Sequence, residues 1–344
     1  MSVQPGVESV AALRKQLPEL VERVNEKFRV DERFECGPIP CELAVTVEDL
    51  QYRFGRTLLA GYEFGLPDWL APEFVGLVGP VMARGARAEF PRAMLDAWLV
   101  ALRTTLPSAT GDELALPLAE LRAGLPGQWP ADEPASLAGD AGEFFRLIRE
   151  RRRREAAAFL ARRAGGGDPS SLFDELVVPA LARVGELWAR NRLSAAEEHG
   201  ATEVCRYAVL RVLDSVEPGP RTGVRALVAC APGEEHELGA EMVAGLVELA
   251  GGEVFFIGRS APEAEIVAAA RRFEPAVALL SSTTVATLPG LRDLARALRA
   301  ALPDLRLVAG GSAAVLARAR LAADCDRVVR TAAEGQTAVL ELAR

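Results

Sequence analysis

The chain has 344 residues, of which 50% are hydrophobic and 26% charged, and its formal net charge is −8. This composition predicts a soluble globular protein of about two domains. The negative charge argues against a nucleic-acid partner, because phosphate binding requires a basic face. The five cysteines form no Cys-x-x-Cys pair, the first ten residues lack the charged and apolar regions typical of a signal peptide, and no apolar run approaches bilayer length. We therefore expect a cytoplasmic protein without a membrane segment.

The first third of the chain has helical periodicity interrupted by Gly and Pro. No basic recognition helix is found in it, so we expect no direct DNA binding. Residues 126–142 are rich in Pro, Gly and acidic residues, which predicts a linker and places a first boundary at 135. The predicted helices of this domain, 1–135, cover residues 9–29, 46–64, 72–84, 91–106 and 111–123.

A second helical block, residues 136–216, predicts a small bundle that forms a cap. Its helices break at 165–171. An apolar residue then recurs at every fourth position from Leu172 to Trp188, which is typical of one helix face. Ser194 and Glu197 form a capping box that begins the next helix.

From residue 217 the pattern changes to short apolar runs that alternate with helices, after a linker at 217–223. This alternation predicts a five-stranded, parallel, doubly wound sheet of the flavodoxin-like kind over 217–344, with its ligand site at the carboxyl ends of the strands. The predicted strands are 224–230, 253–257, 276–282, 305–308 and 327–329. The predicted helices between them are 238–250, 262–273, 291–301 and 313–322.

His236 follows the first strand of this sheet, where such folds present their ligand loops. A lone histidine there is usually a simple exposed residue, but Glu234 can accept its second N–H, and Gly239 removes a side chain at the start of the next helix. Small or hydroxyl residues also end two later strands. These are Ser281, Ser282 and Thr283, and then Gly310 and Gly311.

This pattern resembles cobalamin-binding domains with the motif Asp-x-His-x-x-Gly, 41 residues, Ser-x-Leu, 26 to 28 residues, Gly-Gly. Here Glu234-x-His236-x-x-Gly239 precedes 41 residues, Ser281-x-Thr283, 26 residues and Gly310-Gly311. Glu replaces Asp, and Thr replaces Leu. The resemblance implies that His236 is the lower axial ligand of cobalt. It also implies that the cofactor's nucleotide tail enters a slot lined by Ser281, Thr283, Gly310 and Gly311.

The bundle resembles that of the light-sensing cobalamin repressors of the CarH type, in which a Trp is followed by nine residues and Glu-His. Trp188 is followed here by nine residues and Glu198-His199. The resemblance implies that Trp188 closes over the upper ligand of adenosylcobalamin and that Glu198 forms a hydrogen bond there. The relatives carry a His after this Trp, whereas this chain has Ala189. A photochemical lit state would need another ligand, either water or His199.

An extra helical domain ahead of such a module is similar in architecture to the photocobilins, which combine cobalamin with biliverdin. This resemblance implies a bilin pocket in the first domain, although its aromatic residues are also typical of an ordinary core. Arginines that could pair with the bilin propionates are Arg53, Arg56, Arg84 and Arg87. The candidate aromatic lining is Tyr52, Phe54, Tyr62, Phe64, Trp69, Phe74, Phe90 and Trp98.

Three functions remain open from the sequence. The chain is a cobalamin photoreceptor, a corrinoid methyl carrier or a light-independent cobalamin sensor. A bulky polar cap favours the photoreceptor, because it suits a large upper ligand. No catalytic nucleophile or base is evident, so we expect a non-enzymatic signalling protein. We also expect it to be a homo-oligomer that binds small-molecule chromophores and acts through a downstream partner.

Overall fold

The computed structural model describes residues 4–31, 41–83, 85–125, 136–165, 168–190 and 192–344, without the side chains of 31, 41–46 and 83. These residues form two compact units that are discontinuous in sequence. One unit contains residues 1–134 and 186–195, and the other contains 135–185 and 196–344. The segment 186–195 therefore groups with the N-terminal helices, which the predicted domain boundaries do not anticipate.

The N-terminal unit is helical, as predicted. Its core is aromatic: Phe54 contacts Phe74 and Trp98 edge to face, and the Trp98 indole donates to Gln51 Oε1 at 2.7 Å. Seven of the eight aromatic residues proposed for a bilin pocket are buried in this core, and only Tyr52 is exposed. Arg84 lies outside the described residues. The helices are α1 (Val7–Asp31), α2 (Cys41–Phe64), α3 (Leu70–Ala83), α4 (Phe90–Thr105) and α5 (Ser108–Gly124).

The second helical block forms the predicted bundle. Its first helix begins at Gly139, so the predicted linker, 126–142, extends too far, and residues 126–135 lie outside the described residues. A π-helical turn precedes α9, and its Asp174 carboxylate accepts from the backbone N–H groups of Ala332 at 2.8 Å and Ala333 at 3.3 Å. The helices are α6 (Gly139–Arg149), α7 (Arg153–Ala164), α8 (Ser170–Leu172), the π turn (Phe173–Val177), α9 (Val178–Ala189) and α10 (Ala195–Leu213).

The last part of the chain is a parallel sheet of strand order β2-β1-β3-β4-β5, which confirms the flavodoxin-like prediction. Helices α11 and α16 pack together on one side of the sheet, and α12 and α13 pack together on the other. The strands are β1 (Arg225–Cys230), β2 (Glu253–Gly258), β3 (Val277–Ser281), β4 (Arg306–Gly310) and β5 (Arg327–Val328). The helices are α11 (Leu238–Leu249), α12 (Glu263–Phe273), α13 (Leu288–Ala301), α14 (Ser312–Leu316), α15 (Arg318–Leu321) and α16 (Ala332–Leu342).

Two helical predictions need correction in this sheet domain. The helix predicted over 313–322 is broken at Ala317 into α14 and α15, and α16 was not predicted. Thr331 caps α16 by accepting the backbone N–H of Glu334 at 3.1 Å. A Thr followed three residues later by Glu is a capping box, so the sequence did contain the signal for α16.

The strand register brings the site to one edge of the sheet. Cys230 at the end of β1 pairs with Ser281 at the end of β3, and Ser281 pairs with Gly310 at the end of β4. The loops that follow these three strands therefore start side by side. Within the described residues, none of the helices combines the length and the apolarity that a membrane span requires.

Candidate functional site

His236 lies on the loop between β1 and α11, and its side chain is 62% exposed. Two residues earlier, Glu234 is 1% exposed and faces the fold. Glu234 Oε1 lies 2.5 Å from His236 Nδ1 and accepts the His236 backbone N–H at 3.0 Å. One buried carboxylate oxygen therefore fixes both the ring and the backbone of His236.

The other oxygen of Glu234 reaches the loop that follows β3. Glu234 Oε2 accepts the backbone N–H groups of Thr283 at 2.7 Å and Thr284 at 3.0 Å, and the Thr287 hydroxyl at 3.0 Å. The Thr284 hydroxyl is also within 3.4 Å. The side chain therefore joins the loops after two adjacent strands. Glu234 thus contacts both loops from a position at which the cobalamin-binding motif has the shorter Asp.

The charge state of Glu234 sets the tautomer of His236. Burial raises the pKa of Glu234, but the hydrogen bonds from His236 and from the backbone outweigh burial and lower the pKa to about 2. An ionised carboxylate favours the proton on Nδ1, and that tautomer carries its lone pair on Nε2. Nε2 is the atom of His236 suited to bind a metal, and Glu234 increases its basicity.

The two other glutamates of this loop hold it to different elements. Glu235 pairs with the Ser260 hydroxyl and lies 3.6 Å from Arg259, both of which follow β2. Glu237 accepts from Arg206 of α10 at 2.9 Å. Neither residue was predicted from the sequence, although the acidic run around His236 is a visible signal. The loop is thus fixed to the β2 loop, the β3 loop and the bundle.

Arg206 is the contact from the bundle to this loop. Its guanidinium binds Glu237 and also Glu241 of α11, with Nε 2.9 Å from Glu241 Oε2. His199 precedes Arg206 by seven residues on α10, so the two share a helix face about 10 Å apart. The helix face that carries both residues therefore faces the His236 loop at the position of Arg206. Helix α10 thus carries Glu198 and His199 near its start and, two turns later, the Arg206 contact to the His236 loop.

The glycines of the motif differ in what surrounds them. A Cβ added at Gly239 would meet nothing within 4 Å, so the first turn of α11 leaves open space beside His236. Gly311 has φ +94°, and an added Cβ would lie 2.3 Å from the Ser282 carbonyl oxygen. At Gly310 the nearest atom would be Val329 Cγ2 at 3.3 Å. Gly311 therefore allows two backbones to approach, whereas Gly239 leaves room for a ligand.

Ser281 and Thr283 belong to the same edge. Ser281 is buried, and its carbonyl oxygen accepts the backbone N–H of Ala231 at 2.8 Å, which joins the β3 and β1 loops. Thr283 is partly buried, and its carbonyl oxygen accepts the Ser312 hydroxyl at 2.9 Å. The structure therefore brings Glu234, His236, Ser281, Thr283, Gly310 and Gly311 to one edge of the sheet.

The second Glu-His pair lies at the start of α10. Glu198 Oε2 is 2.5 Å from His199 Nδ1, and the Thr202 hydroxyl donates to Glu198 Oε1 at 3.0 Å. The side chain of His199 is 79% exposed. Trp188 is partly buried near the end of α9, in the segment that groups with the N-terminal unit. Its placement over a cofactor stays a prediction.

These residues fit a corrinoid. A corrinoid would supply its own ring nitrogens to cobalt, so a single correctly oriented imidazole is the ligand that the protein would have to provide. The exposed His236 ring, its buried and ionised partner Glu234 and the open space at Gly239 provide that ligand and the room beside it. His236 would bind cobalt, and the small residues at the ends of β3 and β4 would border the nucleotide tail.

Comparison with known proteins identifies cobalamin-binding families in both parts of this region. Residues 224–343 match a family model described as "B12 binding domain", and residues 137–213 match a second model with the same description. In solved structures, the monomethylamine corrinoid protein of Methanosarcina barkeri aligns with 58% of this chain and 96% of its own, at 15% identity and a TM-score of 0.49.

Two curated relatives are similar in sequence. The HTH-type transcriptional repressor CarH of Myxococcus xanthus is 31% identical over 169 residues, covering 49% of this chain and 54% of the relative. Dimethylamine corrinoid protein 1 of Methanosarcina acetivorans is 26% identical over 134 residues, covering 38% of this chain and 63% of the relative. Two regions of the chain therefore match B12 binding domains, and the chain is similar both to the repressor CarH and to a corrinoid protein, of whose lengths it spans 54% and 63%.

Proposed function

We propose that the chain is a light sensor that binds adenosylcobalamin with His236 as the lower axial ligand. The observation that carries the ligand assignment is the exposed His236 ring held at Nδ1 by the buried carboxylate of Glu234. The spacing of Trp188 from Glu198 and His199, together with the similarity to CarH, favours light sensing over methyl transfer.

Adenosylcobalamin supplies a cobalt–carbon bond that visible light cleaves. With that cofactor bound in the dark, Trp188 would pack against the adenosyl group, and Glu198 would accept a hydrogen bond from it. Loss of the group would remove both contacts and so change the relative free energies of two arrangements of the bundle. The populations shift because the dark and lit cofactors bind the two arrangements with different affinity.

A corrinoid methyl carrier is the main alternative, and similarity to a dimethylamine corrinoid protein supports it. The loop around His236 serves both functions equally, because either requires a fixed lower ligand. The upper residues discriminate, since a methyl group offers little surface to Trp188. A light-independent cobalamin sensor would use the same residues without photolysis.

The decisive experiment records absorption spectra of the purified protein with adenosylcobalamin, in darkness and after illumination. We expect a stable dark spectrum that illumination converts to that of a form without adenosyl. His236→Ala should weaken cobalamin binding and remove the spectral signature of imidazole ligation. The matched control is His199→Ala, which should retain that dark signature. An unchanged spectrum in His236→Ala would exclude the lower-ligand assignment.

A second experiment tests the cap. Trp188→Ala should reduce affinity for adenosylcobalamin while leaving that for hydroxocobalamin nearly unchanged, because the deleted surface contacts only the bulky upper ligand. Both affinities are measured by absorption titration in darkness. An equal loss for both cofactors would make Trp188 a packing residue of its own segment.

A bilin in the N-terminal unit is a second candidate, and one observation favours it. Gln51 is fully buried beside Trp98, and its Nε2 has no hydrogen-bond partner. Buried amide donors normally have partners, and a lactam carbonyl of a bilin is one possible acceptor, as is a buried water. The packed aromatic core would have to open for a bilin to enter.

Biliverdin binding to the full-length chain tests this candidate. We expect a red-shifted bilin absorption band in the wild type and a weaker band in Gln51→Leu, which removes the buried donor at similar volume. Tyr52→Leu is the matched control, because Tyr52, although predicted to line the pocket, is exposed on the same helix and lies outside the buried aromatic core. If the wild type does not bind biliverdin, the first domain has no bilin pocket.

A further inference from the structure

Helix α3 approaches the end of α9 through a glycine. A Cβ added at Gly79 would lie 1.8 Å from the Ala189 carbonyl oxygen, 2.8 Å from its carbonyl carbon and 3.2 Å from its Cα. All three are backbone atoms, so no side-chain rotation could relieve the overlap. Gly79 itself is buried. The close approach of α3 therefore fixes the backbone at Ala189, directly after Trp188.

The segment that α3 fixes belongs by sequence to the cobalamin-binding region. Residues 186–195 lie inside the 137–213 match to a B12 binding domain, yet they group with the N-terminal unit. On either side, the chain continues into parts of the other unit, through α9 up to Gly185 and α10 from Ala196. The segment therefore includes the end of α9 and is joined by the backbone to α10.

We propose that Gly79 is a positioning residue for Trp188, so that the N-terminal unit sets the preference of the protein for a bulky upper ligand. Gly79 acts through the Ala189 backbone and contacts no cofactor. The N-terminal domain is then a part of the cobalamin sensor. The inference rests on the proposed role of Trp188 at the upper ligand.

The position of Gly79 on α3 provides a matched control. Gly76 lies one helical turn earlier, and a Cβ added there would meet nothing within 4 Å. Gly76→Ala and Gly79→Ala make the same chemical change on the same helix. Only the second forces the Ala189 backbone to move, so a difference between the variants isolates the contact from helix propensity.

The experiment uses the full-length protein in darkness. It measures the affinities for adenosylcobalamin and hydroxocobalamin, and hydrogen exchange over residues 186–195. We expect Gly79→Ala to lower the preference for adenosylcobalamin roughly fivefold or more, the scale of a typical coupling between sites. Exchange should rise over 186–195. Gly76→Ala should retain both wild-type values.

A second variant covers the case in which Gly79→Ala does not fold. Ala189→Gly leaves α3 intact and loosens the backbone that Gly79 holds, so it should shift the preference in the same direction. If the folded variants both keep the wild-type preference, the inference is wrong, even if the wild type is photochemically active. A further outcome is that the wild type fails to respond to light, while Gly79→Ala loses the preference for adenosylcobalamin and Gly76→Ala keeps it. In that case the inference stands without the light-sensor function. A wild type that shows no preference overturns the inference.

Discussion

The two histidines of the chain each pair with a glutamate through Nδ1 at 2.5 Å, yet the two pairs are held very differently. Glu234 is 1% exposed and accepts hydrogen bonds from the loops that follow β1 and β3. Glu198 is 23% exposed, and the partners described for it are His199 and Thr202, both from its own helix.

If the two histidines have their proposed roles at the cofactor, this difference separates a fixed imidazole from an adjustable one. The orientation of His236 is determined by tertiary contacts that form only in the folded sheet, so the imidazole is preorganised before any cofactor binds. His199 is oriented locally, and its ring can change rotamer at little cost in free energy. The asymmetry suits the proposed light sensor, which would keep its cofactor through His236 while the contacts to the upper ligand change.

We expect the largest effect from a substitution that breaks the Glu234–His236 pair. Glu234→Gln removes the charge that favours the Nδ1–H tautomer, so we expect cobalamin affinity to fall roughly 10- to 100-fold, as for other residues that orient a metal ligand. Glu198→Gln should change the affinity for hydroxocobalamin by no more than about twofold, as expected of a contact with the exposed side chain of His199. Absorption titration measures both. Equal losses would contradict the asymmetry.

The rigidity of the lower site can be tested at its backbone. Gly311→Ala should lower the free energy of unfolding by about 2 kcal/mol, because the residue is at positive φ and the methyl group overlaps Ser282. Gly310→Ala is the control, with a cost of less than about 1 kcal/mol, because only a side-chain methyl of Val329 must move. Urea unfolding of the cofactor-free protein compares them. Equal losses of unfolding free energy in the two variants would show that the backbone at this edge of the sheet can adjust to the added methyl group.

Arg206 of α10 binds Glu237 of the His236 loop and Glu241 of α11, so its removal should have an intermediate effect. We expect Arg206→Ala to weaken cobalamin binding about threefold to fivefold, because Glu237 and Glu241 lose a partly buried partner. Arg211→Ala on the same helix is the control, since its ion pair with Asp214 is exposed and 4.0 Å long. Isothermal titration calorimetry measures both, and similar values for both variants would assign no special role to Arg206.

The smallest effect should come from the hydroxyl that supports Glu198. Thr202→Val is nearly isosteric, and we expect a change in affinity of less than about twofold. Thr287→Val removes the corresponding hydroxyl from the buried Glu234, and it should cost about 1 kcal/mol of binding or folding free energy. A larger effect of Thr202→Val than of Thr287→Val would reverse the comparison.

Much of the fold could be predicted from the sequence, because the signals are local. The strands of the sheet are short apolar runs bounded by Gly, Pro or Asp, and the alternation with helices determines a parallel arrangement. The break between α14 and α15 and the helix α16 were missed. Each is indicated only by single residues such as Thr331, and these are weaker signals than a periodic pattern over many residues.

The site was predictable only in its motif residues. Spacing identified Glu234 and His236, but the Thr284 and Thr287 contacts to Glu234 depend on how two loops meet in the folded sheet. The contact of Arg206 with Glu237 likewise joins residues 31 positions apart in sequence. The sequence also could not distinguish Gly239 from Gly311, because the difference lies in the atoms around each glycine.

The interleaving of the two units has a consequence for synthesis of the protein on the ribosome. The N-terminal unit is completed by residues 186–195, so the first 134 residues emerge without a part of their own unit. Elongation through the intervening bundle takes on the order of several seconds at typical rates. During that interval, the surface that later packs on Ala189 is open. The nascent chain must therefore remain soluble with an incomplete N-terminal unit until α9 has been made.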